Sequence, residues 1–139
     1  DSAFIDLGKE DPRFVGFGWS PPQLRSGRWV RVTRADRARL FLPLEVASTI
    51  ELTFTASVRP AAADVGIVIN EKPAGSFRVT PGFDEYTVRV PALYWKEGVN
   101  RLDLTPRFAE PKSVLLLEKI GAHRSVVSPS RLPGAAQGR

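Results

Sequence analysis

Apolar and polar residues alternate most regularly along residues 49–58. Even-numbered positions are apolar and odd-numbered positions are polar: Ile50, Leu52, Phe54, Ala56 and Val58 against Glu51, Thr53, Thr55 and Ser57. A period of two places one set on a buried sheet face and the other in water. The same alternation recurs in residues 86–90 and, over a shorter stretch, in residues 101–104. These three segments are therefore predicted strands.

Further short apolar runs are rich in the β-branched and aromatic residues that strands favour. They lie at residues 4–7, 14–17, 29–32, 40–44, 65–69, 77–79 and 114–120. Turn-forming residues separate many of them, at 26–27, 70–73, 81–82 and 97–98. Short strands punctuated by turns predict an all-β domain, either a sandwich or a barrel.

Residues 34–47 are the best candidate for a helix, because alanine, arginine and leucine favour helices. Pro43 lies inside this window, and a proline interrupts a helix. We therefore predict a strand over residues 38–44, with Pro43 near its end or at a sheet edge.

The composition fits one folded domain followed by a tail. The chain has 139 residues, of which 42% are hydrophobic and 25% are charged, and it contains no cysteine. A chain of this size buries a core without disulfides, and the lack of cysteine excludes thiolate metal sites and cysteine nucleophiles. We predict a β-sandwich over residues 1–122 and an extended tail containing proline, glycine and arginine over residues 123–139. No apolar run reaches the roughly 18 residues of a spanning helix, so no transmembrane segment is expected in this chain.

No catalytic or metal-binding constellation stands out. The single histidine, His123, follows the last predicted strand, and no G-x-S-x-G, phosphate-loop, dinucleotide or zinc-helix motif is present. The carboxylates are scattered, so neither an acid–base pair nor a calcium loop is evident. We therefore predict a protein that is not an enzyme and has neither a metal nor a cofactor.

The aromatic residues supply candidate contacts. Trp29 lies in an apolar run and is predicted to pack in the core. Trp19 precedes two prolines, and Tyr94 and Trp95 precede the turn at Gly98, so these three are candidate rim residues. Rings at a rim stack on sugars or anchor protein partners. A purely structural role stays open for each of them.

Arginines crowd residues 25–39, where Asp36 is the only acidic residue: Arg25, Arg28, Arg31, Arg34, Arg37 and Arg39. They suit a basic rim toward phosphate, acidic glycan, anionic lipid headgroups or an acidic protein surface. A solvated face with local ion pairs is the alternative. The tail adds Arg124, Arg131 and Arg139 as candidate partner contacts. The net charge of +5 is modest and no stacking platform accompanies it, so nucleic acid is not an expected partner.

Three consecutive stretches carry a resemblance to a known family. Residues 68–79 read VINEKPAGSFRV, residues 83–91 read FDEYTVRVP and residues 95–104 read WKEGVNRLDL. In this order they resemble the galactose-binding-like domains that accompany envelope and carbohydrate-active proteins. The resemblance covers roughly residues 3–121 and implies a jelly roll, a two-sheet antiparallel β-sandwich. Asn70 and Gly75 suit its hairpin, because both tolerate positive φ.

Two functions follow as hypotheses. The first is an exported, non-catalytic accessory domain in the periplasm or outside the cell, with a glycan as its partner. The alternative is a structural extrinsic subunit that packs onto other subunits of a membrane-associated assembly through its tail and arginine-rich rim. The resemblance favours the first hypothesis, whereas the lack of a specific sugar-binding constellation favours the second.

Overall fold

The computed structural model describes residues 2–9 and 12–125, and nearly all regular structure in them is β. The strands are β1 Ser2–Asp6, β2 Gln23–Arg25, β3 Arg28–Val32, β4 Ala38–Leu44, β5 Ile50–Arg59, β6 Ala63–Ile69, β7 Lys72–Val79, β8 Asp84–Val90, β9 Gly98–Arg107 and β10 Val114–Arg124. Two single-turn 3₁₀ helices, Pro12–Phe14 and Ala92–Tyr94, complete the described elements. The predicted all-β class is confirmed.

The strands form two sheets in which all neighbours are antiparallel. One sheet has six strands in the order β2-β3-β10-β5-β8, with β1 also paired to β10. The other has four strands in the order β4-β9-β6-β7. Strands β3 and β1 share the same edge of β10, because β3 pairs with Leu116 and Leu117 whereas β1 pairs with residues 119–123. This is the two-sheet antiparallel sandwich that the sequence predicted.

The core lies between the two sheets and follows the alternation of the sequence. In β5 the even-numbered residues Ile50, Leu52 and Phe54 point inward and are almost fully buried. The ring of Phe54 stacks on Phe77 of the opposite sheet, with ring centroids 4.6 Å apart. Such stacked aromatic pairs add to the free energy gained by burying apolar area, so this contact joins the two sheets at their centre.

Residues 15–20 close one side of the sandwich. The backbone N–H of Gly16 donates to the carbonyl of Arg39 in β4, and that of Ser20 donates to the carbonyl of Val32 in β3, each at 2.8 Å. The segment therefore spans from the four-stranded to the six-stranded sheet. The predicted strand at residues 14–17 is wrong: Pro12 begins a 3₁₀ turn, as its fixed φ favours, and Val15 makes only a single bridge.

The turns and edges follow the predicted chemistry. Asn70 and Glu71 have φ of 49° and 71°, as a two-residue hairpin turn requires. Gly75 also has a positive φ, of 140°, but it lies inside β7 opposite Ile67, where the register shifts, and not in the turn. Pro43 is exposed near the end of β4, which is an edge strand, as predicted. Strand β2 was not predicted, because it has only three residues and follows two prolines.

The last strand extends through His123 and Arg124. Most of the predicted tail, including Arg131 and Arg139, lies outside the described residues. In the described part of the chain, no helix has the length and apolar character needed to cross a membrane.

Candidate functional site

A row of side chains crosses the solvent face of the six-stranded sheet. The strand register aligns Phe4 of β1 with Gly121 of β10, Gly121 with Thr53 of β5, and Thr53 with Thr87 of β8. We call this row the trough. Neighbouring strands are roughly 4.8 Å apart, so the trough runs for roughly 14 Å across four strands. Its floor comes from residues far apart in sequence that only the folded sheet brings together.

Charged and polar side chains form the two walls of the trough. On one side the register aligns His123, Glu51 and Arg89, and on the other it aligns Lys119, Thr55 and Glu85. Each wall lies two residues along the strands from the floor, and alternation directs it to the same sheet face. The depression has a volume of about 400 Å³. Its lining consists of Phe4, Thr53, Thr55, Glu85, Lys119, Gly121 and His123.

Gly121 gives the trough its depth. A glycine inside a strand removes the side chain from the sheet surface, and such positions often mark a close approach by a ligand. A Cβ atom built at this position would lie 3.3 Å from Nε2 of His123 and would project into the trough. Beside it, the hydroxyls of Thr53 and Thr87 are 3.2 Å apart and form a polar floor.

Phe4 supplies the apolar part of the site. Its ring is 61% exposed at one end of the trough, and the ammonium nitrogen of Lys119 lies 5.9 Å from the ring centroid. An exposed ring next to hydroxyls, carboxylates and an ammonium group suits a ligand with one apolar face and many polar groups at its edge.

Two smaller depressions adjoin the trough. One, of about 230 Å³, shares Thr55, Glu85 and Lys119 with it and continues to Arg28, Phe83 and Asp84. The other, of about 260 Å³, shares Phe4 and continues along Ile5, Asp6, Lys9, Arg13 and Phe14. Phe4 therefore stands between two depressions rather than at the closed end of one.

The predicted aromatic residues lie elsewhere, and two of their placements are wrong. Trp95 was predicted near the rim, but it is 5% exposed and its Nε1 donates to the carbonyl of Val90. Trp29 was predicted in the core, but it is 56% exposed beside the equally exposed Leu24. The reason is that β3 buries its other face, through Val30 and Val32. Trp19 and Tyr94 are half-buried against the core.

The arginines of residues 25–39 do not form a single basic rim. Arg25 donates to Gln23, Arg28 pairs with Glu118 at 2.6 Å, and Arg31 donates to the backbone carbonyls of Leu7 and Ser20. Arg39 lies in β4 of the other sheet and Arg37 immediately precedes this strand, and both pair with Asp103 and Glu71. Arg34 is exposed. Of the whole set, Arg28 alone lines one of the depressions next to the trough.

An ion-pair network connects residues on the outer face of the four-stranded sheet. Asp103 is almost fully buried and accepts two hydrogen bonds from Arg39, at 2.8 and 2.9 Å. Glu71 accepts a third from Arg39 and pairs with Arg101 at 3.3 Å. The hydrogen bond to Asp103 raises the pKa of Arg39 above its ordinary value. This network occupies the carboxylates that a ligand would need, so we regard it as structural.

The trough residues were not identified from the sequence as a site. The alternation of β5 did indicate that Thr53 and Thr55 lie on the sheet face opposite the core, although Thr55 is only 5% exposed. A glycine inside the final strand was the remaining available signal, because interior glycines mark close approach. Within residues 2–9 and 12–125, no group of three or more histidine, aspartate or glutamate side chains is placed to hold a metal ion.

Solved structures of carbohydrate-binding modules (CBMs) have a similar fold. The CBM36-1 domain of a multidomain xylanase from the hindgut metagenome of Trinervitermes trinervoides matches with a TM-score of 0.65 and 13% identity, over 91% of this chain and 100% of that one. A CBM36 module in complex with calcium and xylotriose matches with a TM-score of 0.63 and 14% identity, over 87% and 99%. A native family 35 module from Clostridium thermocellum matches with a TM-score of 0.64 and 8% identity, over 90% and 99%.

These similarities establish the class of fold. The chain has the two-sheet jelly-roll fold of these modules, which is the fold that the resemblance of residues 68–104 implied. No protein-family model matches it, and no curated protein matches it significantly.

Proposed function

We propose that this chain is a non-catalytic carbohydrate-binding domain that holds a glycan in the trough of its six-stranded sheet. The observation that carries the proposal is the aligned row of Phe4, Gly121, Thr53 and Thr87, with polar walls on both sides. The similarity to carbohydrate-binding modules supports it. An accessory role next to an enzyme or an envelope protein, in an exported setting, accords with this proposal.

Each part of the trough has a role in binding a sugar. The apolar face of a pyranose stacks on the exposed ring of Phe4, while the hydroxyls of Thr53 and Thr87 and the carboxylate of Glu85 bond to its hydroxyl groups. Fully burying a phenylalanine side chain contributes roughly 1.5–3 kcal/mol. A sugar covers only one face of the ring, so a gain of about 1.4 kcal/mol, or tenfold in affinity, is a reasonable expectation.

The placement of the carboxylates supports a binding role without catalysis. Glu51 and Glu85 lie on opposite walls of the trough, and Glu85 is aligned with Thr55, four residues along β5 from Glu51. Four residues span roughly 13 Å of strand. The paired carboxylates of glycosidases are roughly 5–10 Å apart. The backbone positions of these two glutamates are therefore farther apart than the carboxyl groups of a glycosidase pair, which accords with a binding role.

Affinity electrophoresis in gels that contain xylan, mannan or laminarin tests the proposal. The wild-type chain should be retarded by at least one of these polysaccharides, and Phe4→Ala should weaken that retardation about tenfold. Leu93→Ala is the matched control, because Leu93 is also highly exposed but lies in the 3₁₀ turn Ala92–Tyr94. Retardation of Phe4→Ala equal to that of the wild type would remove the trough from consideration.

A second candidate function is favoured by the exposed pair of Trp29 and Leu24, which face each other across the β2–β3 hairpin. Exposed tryptophans frequently anchor protein partners. On this proposal the domain is a structural subunit of a larger, membrane-associated assembly, and the arginine side chains and the tail add contacts. Native mass spectrometry of material isolated from its source tests it. Co-purifying subunits that are lost on Trp29→Ser with Leu24→Ser would support this role, whereas a chain that travels alone would contradict it.

A further inference from the structure

The trough has no closed end in the part of the chain that the structure describes. Strand β8 is the edge of the six-stranded sheet, so no further strand raises a wall beyond Thr87. Strand β1 pairs only with β10, and the depression beyond Phe4 continues past it to Asp6, Lys9 and Arg13. A pocket that recognises a chain end needs a wall at that end, whereas an open channel accepts a chain that continues in both directions.

Two of the three depressions follow one another across the strands. The trough shares Phe4 with the depression at Lys9. The depression at Arg28 and Phe83 instead lies farther along the strands, beyond the wall of Lys119, Thr55 and Glu85. The trough and the depression at Lys9 together are longer than the roughly 14 Å of the trough alone. An extended ligand is needed to occupy both, and Phe4 then contacts it where the two depressions meet.

The charges along this path are mixed in sign. Glu51 lies between His123 and Arg89 on one wall, while Lys119 and Glu85 share the other. The outlying depressions likewise combine Asp6 with Lys9, and Arg28 with Asp84. Each depression holds both a carboxylate and a cation, so neither a polyanion nor a polycation meets a surface of uniformly opposite charge. The path therefore suits a neutral ligand.

We propose that the domain binds internal segments of a linear, neutral polysaccharide, which lies across the strands with Phe4 between its flanking subsites. This inference rests on the proposed carbohydrate binding and adds the form of the ligand. It follows that chain length, and not the presence of a free chain end, determines affinity.

Isothermal titration calorimetry with the polysaccharide retained among xylan, mannan and laminarin tests the inference. The probes are that polymer, the same polymer with its reducing ends converted to alditols, its trimer and hexamer, and its monosaccharide. We expect equal affinity for the native and end-reduced polymer, at least about tenfold tighter binding of the hexamer than of the trimer, and no competition by the monosaccharide. Loss of binding on end reduction, or competition by the monosaccharide, would overturn internal binding while leaving carbohydrate binding intact. Failure to bind any of the three polysaccharides would overturn both.

Lys9→Ala tests the subsite beyond Phe4. It should weaken binding of the hexamer more than binding of the trimer, because only the longer ligand reaches that depression. Lys72→Ala is the matched control, since Lys72 is an exposed lysine on β7 of the other sheet. Equal losses for hexamer and trimer on Lys9→Ala would contradict an extended path.

Discussion

Arg39 holds the buried carboxylate of Asp103 with two hydrogen bonds and thereby ties β4 to β9. The phenyl ring of Phe17, in the segment that closes the side of the sandwich, lies 4.9 Å from the guanidinium carbon of Arg39. Glu71, in the turn between β6 and β7, accepts from the same guanidinium. One arginine thus holds together an edge strand, a hairpin turn and the closing segment.

Asp103→Ala should destabilise the fold by roughly 2–3 kcal/mol. Removing one partner of a buried ion pair costs roughly 3–5 kcal/mol, and Glu71 and partial solvent exposure of Arg39 moderate the loss here. The change leaves three arginines, Arg37, Arg39 and Arg101, around a single carboxylate. Denaturant unfolding measures the effect. Asp64→Ala, which breaks an exposed pair with Arg78, serves as control and should change stability by less than about 1 kcal/mol.

Trp95 is buried and Trp29 is exposed, the reverse of what the sequence predicted, and this difference in exposure gives a spectroscopic prediction. Trp95→Phe should remove the part of the tryptophan fluorescence that the quencher acrylamide does not reach, because Trp95 is buried and hydrogen-bonded. Trp29→Phe should remove readily quenched emission, because more than half of Trp29 is exposed. Stern–Volmer quenching of the two variants measures this difference. Greater loss of quenchable emission from Trp95→Phe than from Trp29→Phe would contradict the described burial.

The sequence was informative wherever one strand carries its own alternating pattern. In β5 the pattern alone separated the core residue Phe54 from the solvent-facing Thr53. In β3 it did not, because Trp29 and Val30 are both apolar and the buried face of so short a strand cannot be recognised from hydrophobicity. Long-range packing decides which face is buried, because Val30 and Val32 pack against Leu116 of β10.

The trough could not be predicted from the sequence for a different reason. Phe4 and Gly121 meet because β1 pairs with the last strand, and this register is a long-range property of the fold. The partners of the arginines could not be predicted from the sequence either, since Arg39 and Asp103, for example, are 64 residues apart. The cluster of arginines in sequence was therefore compatible with one basic rim and with a face of local ion pairs. The sheets distribute these side chains over separate surfaces, and the ion pairs of Arg28, Arg37 and Arg39 agree with the second interpretation.

Two glycines with positive φ provide a matched test of the closing segment. Gly18 has a φ of 92°, and a Cβ atom there would overlap the carbonyl oxygen of Arg37. Gly27 has a φ of 75°, and a Cβ atom there would meet nothing within 4 Å. Gly27→Ala should cost about 1–2 kcal/mol from backbone strain alone. Gly18→Ala should cost clearly more, because the backbone must also move, and thermal unfolding measures both. Equal melting temperatures for the two variants would show that residues 15–20 can shift without a loss of stability, which would contradict the prediction.

Filling the trough from its floor is the most direct test of the proposed glycan site. Gly121→Val adds a β-branched side chain to an interior strand, where such residues are favoured, and its nearest neighbour is the movable ring of His123. The fold should therefore tolerate it, while glycan affinity should fall at least about tenfold because the ligand loses its contact with the sheet. Ser76→Val is the control, since it places the same side chain on an exposed position of β7, on the other sheet. Calorimetric binding and melting temperature are measured together for both variants. A Gly121→Val protein that binds glycan as the wild type does would place the ligand outside the trough, and the exposed surface around Trp29 would then be the next to mutate.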